Sequence, residues 1–319
     1  MSADTLNEQL VRYLTDVHAM EVQALAQMRK APELAGDPQL ASAFETHCTE
    51  TERHEALIRE RLQAHDATPS RIEDLLGKLS GKGFTLFAQA NPDTPGKLAT
   101  HAYSYEHMEL AAYDLLEKVA KRAGDEETAA VAREIRAEEE AMAVRIGEQW
   151  DRTVAASLKD RDAAEALDGY LADAHALETQ SATLLDKGPK LVGTPGLAQI
   201  LENHHAETNR HLEHLERRLA DRGESPSRVK DAALKLGALN WGGFWAAQPD
   251  TPAKLAMFAY AVEHLEIGAY EQLTRVARLA GDGDTAMVVD QILPEERAAA
   301  EFVFGAFDEA LDASLPQRG

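Results

Sequence analysis

One cysteine, Cys48, stands in 319 residues. No intrachain disulfide can form, which fits a reducing cytosol. Aromatic residues make up only 6%, and with Ala, Leu, Glu and Arg dominant the composition favours helices over strands. Basic residues are also few: 33 Lys and Arg face 55 Asp and Glu, a net charge of −22. Such a surface repels phosphate backbones and anionic headgroups, so neither nucleic acid nor a membrane is expected as a partner. No apolar run approaches the ~20 residues that span a bilayer. The start, MSADTLNEQL, has no basic segment ahead of an apolar one, so no signal peptide is expected. There remain 44% apolar residues to build cores and a length that suggests two domains. The expectation is an acidic, helical, soluble protein of the cytoplasm.

The chain repeats itself. Asp16-Val-His18-Ala-Met-Glu21 returns as Asp173-Ala-His175-Ala-Leu-Glu178, and His47-Cys-Thr-Glu50-Thr-Glu-Arg-His54 as His204-His-Ala-Glu207-Thr-Asn-Arg-His211. Pro92-Asp-Thr-Pro95 matches Pro249-Asp-Thr-Pro252, and Glu106-His107-Met-Glu109 matches Glu263-His264-Leu-Glu266, always at an offset of 157 (266 − 109). A period this long, given twice, is a domain duplication rather than a solenoid. The boundary is expected near residue 158, giving domains 1–158 and 159–319. With no Gly or Pro between Gly147 and Gly169, the linker is expected to be partly helical.

Punctuation recurs with the repeat. Asp37-Pro38, Thr194-Pro195, Thr94-Pro95 and Thr251-Pro252 each place a capping side chain before a proline at the first helical position. Gly124-Asp125 and Gly281-Asp282 read as a helix end followed at once by a new cap. Four long helices per half are predicted, in the first half over about 4–30, 38–65, 95–122 and 126–157, with a short helix near 70–79 inside a 66–94 connection. Four such helices with a long crossover between the second and third match the ferritin-like arrangement. The fold class is therefore all-α, two tandem ferritin-like four-helix bundles. Phe84, Phe87, Trp241, Phe244 and Trp245 on the crossovers are expected to cover a bundle face or pad the interface between halves.

Core-facing positions recur at spacings of three and four. In the first helix Leu10, Leu14, Val17, Glu21, Ala24 and Met28 align, copied as Leu167, Leu171, Ala174, Glu178, Ser181 and Leu185. In the second, His47, Thr51 and His54 continue an apolar stripe with Glu50 beside it, copied by His204, Thr208 and His211 with Glu207. The third aligns Glu106, Glu109 and Tyr113, copied by Glu263, Glu266 and Tyr270; the fourth aligns Ile135, Glu138 and Met142, copied by Ile292, Glu295 and Ala299. Every long helix thus points a glutamate inward. One such glutamate alone is ordinarily a solvated flank, and a lone helical histidine a hydrogen-bonded core residue. The weight rests on four helices doing so, twice.

Buried carboxylates must be protonated, paired or bound to metal. Two divalent ions per bundle would set four positive charges against five negative ones. Mixed carboxylate and imidazole donors suit iron or manganese, with zinc a further option. The candidate ligands are Glu21, His47, Glu50, His54, Glu106, Glu109 and Glu138 in the first half. In the second they are Glu178, His204, Glu207, His211, Glu263, Glu266 and Glu295. His18 and His107 lie off these faces and are expected to hydrogen-bond beside the site rather than within it. Tyr113 and Tyr270 are expected to pack with bonded hydroxyls.

The Glu106-His107-Met-Glu109-Leu-Ala-Ala-Tyr113 run, its copy Glu263-His264-Leu-Glu266-Ile-Gly-Ala-Tyr270, the His-x-x-Glu-Thr runs at His47 and His204 and the Glu-Glu pairs at Glu138 and Glu295 resemble the YciF/YciE-type ferritin-like family of bacteria. The resemblance covers nearly the whole chain as two tandem copies. It implies a metal-binding bundle, a link to stress responses, and halves that pack on each other as single-domain relatives do in dimers. The chain would then be a monomer or small oligomer rather than a cage. The pattern departs from di-iron oxidases with Glu-x-x-His on two helices: His54 follows Glu50 by four, and Ala141 and Met142 stand where a second histidine would fall. The halves also differ, Glu134 against Gln291, Glu140 against Arg297, and Pro294 inside the fourth helix of the second half. Two functions follow: a metal protein engaged in storage, peroxide removal or an oxidase step, or a structural, protein-binding bundle whose Glu and His pair with each other.

Overall fold

Aspartate, proline and glycine set where the helices start and stop. The structure is a computed structural model in which residues 3–68, 94–226 and 250–315 are described. The short helix expected near 70–79 and the aromatics Phe84, Phe87, Trp241, Phe244 and Trp245 lie outside these residues. Among the described residues the chain is helical without a strand, and it divides into two units between Ser157 and Leu158.

The first unit contains α1 (Ala3–Met28), α2 (Ala31–Leu34), α3 (Pro38–Ala64), α4 (Thr94–Ala123), α5 (Glu126–Gly147) and α6 (Trp150–Ser157). The second contains α7 (Ala163–Leu185), a 3-10 turn Gly188–Lys190 in the place of α2, α8 (Pro195–Asp221), α9 (Thr251–Leu279), α10 (Gly283–Gly305) and α11 (Phe307–Ser314). Asp37 Oδ1 caps α3, accepting from the amides of Gln39 and Leu40 at 2.9 and 3.1 Å. Asp125 and Asp282 cap α5 and α10 through the amides of Thr128 and Thr285, each at 2.9 Å. Gly124 and Gly281 precede them at φ of +80° and +70°, a left-handed turn that a Cβ would strain. The threonine caps turn out differently. Thr194 holds the cap position without a side-chain bond, Asp250 rather than Thr251 precedes α9, and Thr94 is itself the first residue of α4.

The fourth helix, expected to run unbroken over 126–157, splits. The chain tightens after Gly147, Gln149 N bonding Ile146 O at 2.9 Å, and resumes as α6. The break re-aims the apolar face, so that Trp150 is buried and Ser157 Oγ accepts from Gly96 N at 2.8 Å. Ser314 Oγ and Ala253 N repeat this bond at 2.8 Å. Helix is absent over 158–162, and Asp162 caps α7. By contrast α10 continues through Pro294.

Side-chain pairs give the helix directions. His54 and Arg61 of α3 and its C-cap His65 meet Glu138 and Thr128 of α5 and its N-cap Asp125 in reverse order, and Asp114 and Glu117 of α4 likewise meet Arg136 and Arg133. Both α3 and α4 therefore run antiparallel to α5, hence parallel to each other. Two successive parallel helices match the one-crossover topology expected from the sequence. Leu14, Leu40, Phe44, Ile58, Leu116 and Ile135 are fully buried, forming the apolar core around the mid-bundle carboxylates.

Candidate metal centre

Six polar residues occupy the middle of the first bundle. Glu21 comes from α1, His47 and His54 from α3, Glu106 and Glu109 from α4, and Glu139 from α5; all are buried, none more than 1% exposed. The two histidines lie seven residues apart, so two turns of α3 stack them on one face. Ligand atoms of His47, Glu106, Glu109 and Glu139 lie within 4.8 Å of one another, as do those of Glu21, His54 and Glu139. Glu139 belongs to both groups. Its Oε2 is 3.4 Å from His47 Nε2 and its Oε1 2.8 Å from His54 Nδ1. His47 Nε2 also lies 3.0 Å from Glu106 Oε2, and His54 Nδ1 3.8 Å from Glu21 Oε2.

The second bundle repeats the arrangement. His204, Glu263, Glu266 and Glu296 form one group and Glu178, His211 and Glu296 the other. His204 Nε2 stands 2.9 Å from Glu263 Oε2 and 3.5 Å from Glu296 Oε2. His211 Nδ1 stands 2.8 Å from Glu296 Oε1 and 3.3 Å from Glu178 Oε1.

Glu138 and Glu295, the expected inward residues of the fourth helices, are not in these groups; their neighbours Glu139 and Glu296 are. At about 100° per residue, Glu138 and Glu139 fall about 60° and 40° to either side of the Ile135 line. Helical phase alone could not separate them. The Glu-Glu pair itself was the available signal, and the packing of α5 between α3 and α4 decides it. Glu138 instead faces α3 at 33% side-chain exposure, its Oε2 2.7 Å from His54 Nε2. Glu50, 27% exposed, is likewise not grouped with the inner carboxylates and holds His47 Nδ1 at 3.0 Å. Glu295 and Glu207 do the same for His211 and His204 at 2.9 and 3.3 Å. Each imidazole thus has an outer nitrogen held by a carboxylate and an inner nitrogen turned toward the cluster, an arrangement that fixes ring orientation and tautomer in metal-binding histidines.

The remaining residues take supporting places. Tyr113 Oη donates to Glu21 Oε1, and Tyr270 Oη to Glu178 Oε1. His18 Nε2 bonds Glu55 of α3 at 2.9 Å. His107 donates Nδ1–H to the Tyr103 carbonyl at 2.7 Å, and burial pulls its pKa down to about 4.

Burial dominates the electrostatics. It raises the Glu21 carboxyl to about 8, helped by the negative charge of Glu139, and the Glu139 carboxyl to about 7 even against the nearby His54 ring. Glu109, Glu266 and Glu296 are pushed well above the ordinary range by burial and neighbouring carboxylates. Burial draws the histidines down, but at His54 the carboxylates of Glu139, Glu21 and Glu138 together outweigh it, lifting the ring to about 9. Glu178 and Glu296 lift His211 to about 10. The outer carboxylates Glu50 and Glu138 are lowered, the first chiefly by the His47 bond and the second by His54 and Arg53 against its burial.

The donor atoms suit a cation. His47 Nε2, His54 Nδ1, Glu21 Oε2, Glu109 Oε1 and both carboxylate oxygens of Glu106 and Glu139 are buried without a hydrogen bond among the described residues. Their close approaches lack hydrogen-bond alignment, which leaves lone pairs converging on shared space. Orphaned buried polar atoms are costly. Four carboxylates would exactly balance two divalent cations with both imidazoles neutral, a better match than the five expected from sequence. Oxygen-rich donors with two imidazoles suit a hard or borderline divalent cation rather than a soft one.

These bundles, each with a buried glutamate–histidine cluster shared across four helices, define a class of helical proteins with groups that could hold metal. The chain belongs to the family described as a domain of unknown function, DUF892, whose pattern matches residues 5–159 and again 162–315. Among the described residues, no helix is long and apolar enough to cross a membrane.

Proposed function

We propose that this is a ferritin-like metal protein whose two bundles each bind two divalent cations of the iron or manganese class. The supporting observation is the pair of ligand groups that share Glu139, and Glu296 in the copy, with unbonded donor atoms turned inward. In the first unit His47, Glu106 and Glu109 would hold one cation and Glu21 and His54 the other, with Glu139 common to both. Glu50 and Glu138 orient the imidazoles, and Tyr113 holds Glu21. Such cations, when bound, supply a redox couple that dioxygen or peroxide can oxidise. The reading therefore places the protein in oxidant or metal handling under stress, in the cytoplasm, as a monomer or small oligomer.

The ring-to-carboxylate distances also support a second reading, a structural bundle of internal ion pairs. Two imidazolium ions would leave two of the four carboxylates needing protons. Metal content separates the two. Protein loaded anaerobically with Fe(II) or Mn(II) and desalted is expected to retain about four ions per chain by mass spectrometry, two per bundle as in di-metal carboxylate bundles. Retention of none, with thermal stability unmoved by exhaustive chelation, would establish the structural reading instead.

A further inference from the structure

The two centres differ in what leads to them. In the second unit a cavity of about 20 Å³ lies among α7, the 3-10 turn, α8 and α9, bounded by Leu185, Leu201, Leu255, Phe258 and Val262 and reaching Glu263. Phe258 and Val262 are half-buried, whereas Leu201 and Glu263 are 2% and 1% exposed. The cavity therefore leads inward from the partly exposed side of α9 to a carboxylate of the cluster. Beside Glu263, Ser181 brings the only other polar side chain among the described lining residues. A water molecule needs roughly 10–15 Å³ of such space and two to four polar partners. This cavity supplies the room, but Ser181 and Glu263 meet only the lower limit of partners, and every other described lining side chain is apolar. It suits a small apolar molecule.

The first unit lines the same place with bulkier side chains at several positions, although His101 stands there for Phe258 and Ala24 for Ser181. Phe44 replaces Leu201, Met28 replaces Leu185, Tyr105 replaces Val262 and Ala31 replaces Gly188. Phe44 is fully buried, and Tyr105 reaches from α4 to α1, its hydroxyl donating to the Met20 carbonyl at 3.0 Å. The glycine has a measurable role: a Cβ built on Gly188 would come within 3.0 Å of Leu201 Cδ1.

We infer that the apolar cavity beside Glu263 admits dioxygen to the second unit's cluster, while Phe44 and Tyr105 deny it that route in the first. The inference deepens the metal-centre reading and rests on it for what the gas meets there. The cavity exists without a cation, however, so it can be tested on metal-free full-length protein. Failure of the cavity and failure of metal binding then appear in separate experiments.

The probe is dioxygen itself, under pressure, read by paramagnetic relaxation of methyl resonances in methyl-labelled protein. A polar gadolinium chelate provides the measure of ordinary solvent exposure. Leu185, Leu201 and Leu255 methyls are expected to relax several-fold faster with dioxygen than Leu98 of the first unit, while the chelate leaves them unaffected. The L201F/V262Y variant should abolish the excess at Leu185 and Leu255, and F44L/Y105V should create one at Leu98. Should the double variants fail to fold, Gly188→Ala, which crowds Leu201 from outside the lining helices, should reduce the excess. Equal relaxation at Leu255 and Leu98 in the unaltered protein, or an excess that survives filling, would overturn the inference.

Discussion

Two adjacent glutamates on α5 do different things because one helical step separates a cluster from its rim. Glu139 lies fully buried between two ligand groups, whereas Glu138 is a third exposed and grips His54 from outside. Removing the first deletes a donor common to both ligand groups; removing the second only loosens a ring. The E139Q/E296Q variant is therefore expected to lose stoichiometric Fe(II) or Mn(II), measured by mass spectrometry after desalting. E138Q/E295Q should keep the full count while its affinity drops about 10–100-fold, the usual effect of losing a carboxylate behind a metal-bound histidine; competition with a chromophoric chelator measures that loss. Sequence could not make this distinction, since Glu138 and Glu139 straddle the apolar line almost evenly. It did single out Glu21, His47, His54, Glu106 and Glu109, because on those helices the neighbouring positions are either plainly apolar or plainly off-face.

Helix ends were the most legible feature at the scale of elements. Asp37, Asp125 and Asp282 announce their helices, and the structure shows their side chains on the expected amides. Direction was also readable, since a 66–94 connection is long enough to return along a bundle. The division of the fourth helix was not readable: no proline marks it, and the tertiary demand that Trp150 and Ser157 face α4 overrides an otherwise continuous helical pattern. The aspartate at the start of α5 has further work as an ion-pair centre. Arg61 and His65 approach Asp125 at 3.3 and 2.7 Å. Against its partial burial, bonds from Thr128, His65 and Arg61 keep its carboxyl well below the usual range. Asp125→Ala should cost about 1–2 kcal/mol, as lost caps do, and lower the midpoint of thermal unfolding by a few degrees. Asp125→Asn keeps a capping oxygen and gives up the charge, so its midpoint should fall between those of the parent and the alanine variant.

Across the whole molecule, two bundles repeat one charge problem within a chain that is already strongly acidic. Each raised carboxyl keeps a proton in the folded state that the unfolded chain releases above its ordinary 4.5, so folding is favoured less as pH climbs through about 7 for Glu139 and about 8 for Glu21. The raised imidazoles act in the same sense. Their ion pairs stabilise fully below the ordinary 6.5 and fade as pH passes about 9 for His54 and about 10 for His211. The chelated protein's unfolding midpoint should accordingly fall from about pH 4.5, through the carboxyls, to about pH 10, where His211 loses its proton, in differential scanning fluorimetry. With manganese present the fall should be far smaller, because the ligands have already shed their protons. The duplication makes another test possible: E139Q alone should leave about half the ions of the parent chain, since each bundle draws every ligand from its own helices. A count near zero would mean that one bundle's occupancy depends on the other. The position of Glu139 also bears on how a bundle fills. On the proposed reading, whichever cation arrived first would displace the protons of a carboxylate that serves both places, and the second would meet a ligand already stripped. Half-filled bundles would be scarce, so a limited metal supply would divide the population into full and empty units, and uptake would rise with metal concentration as a threshold rather than a slope.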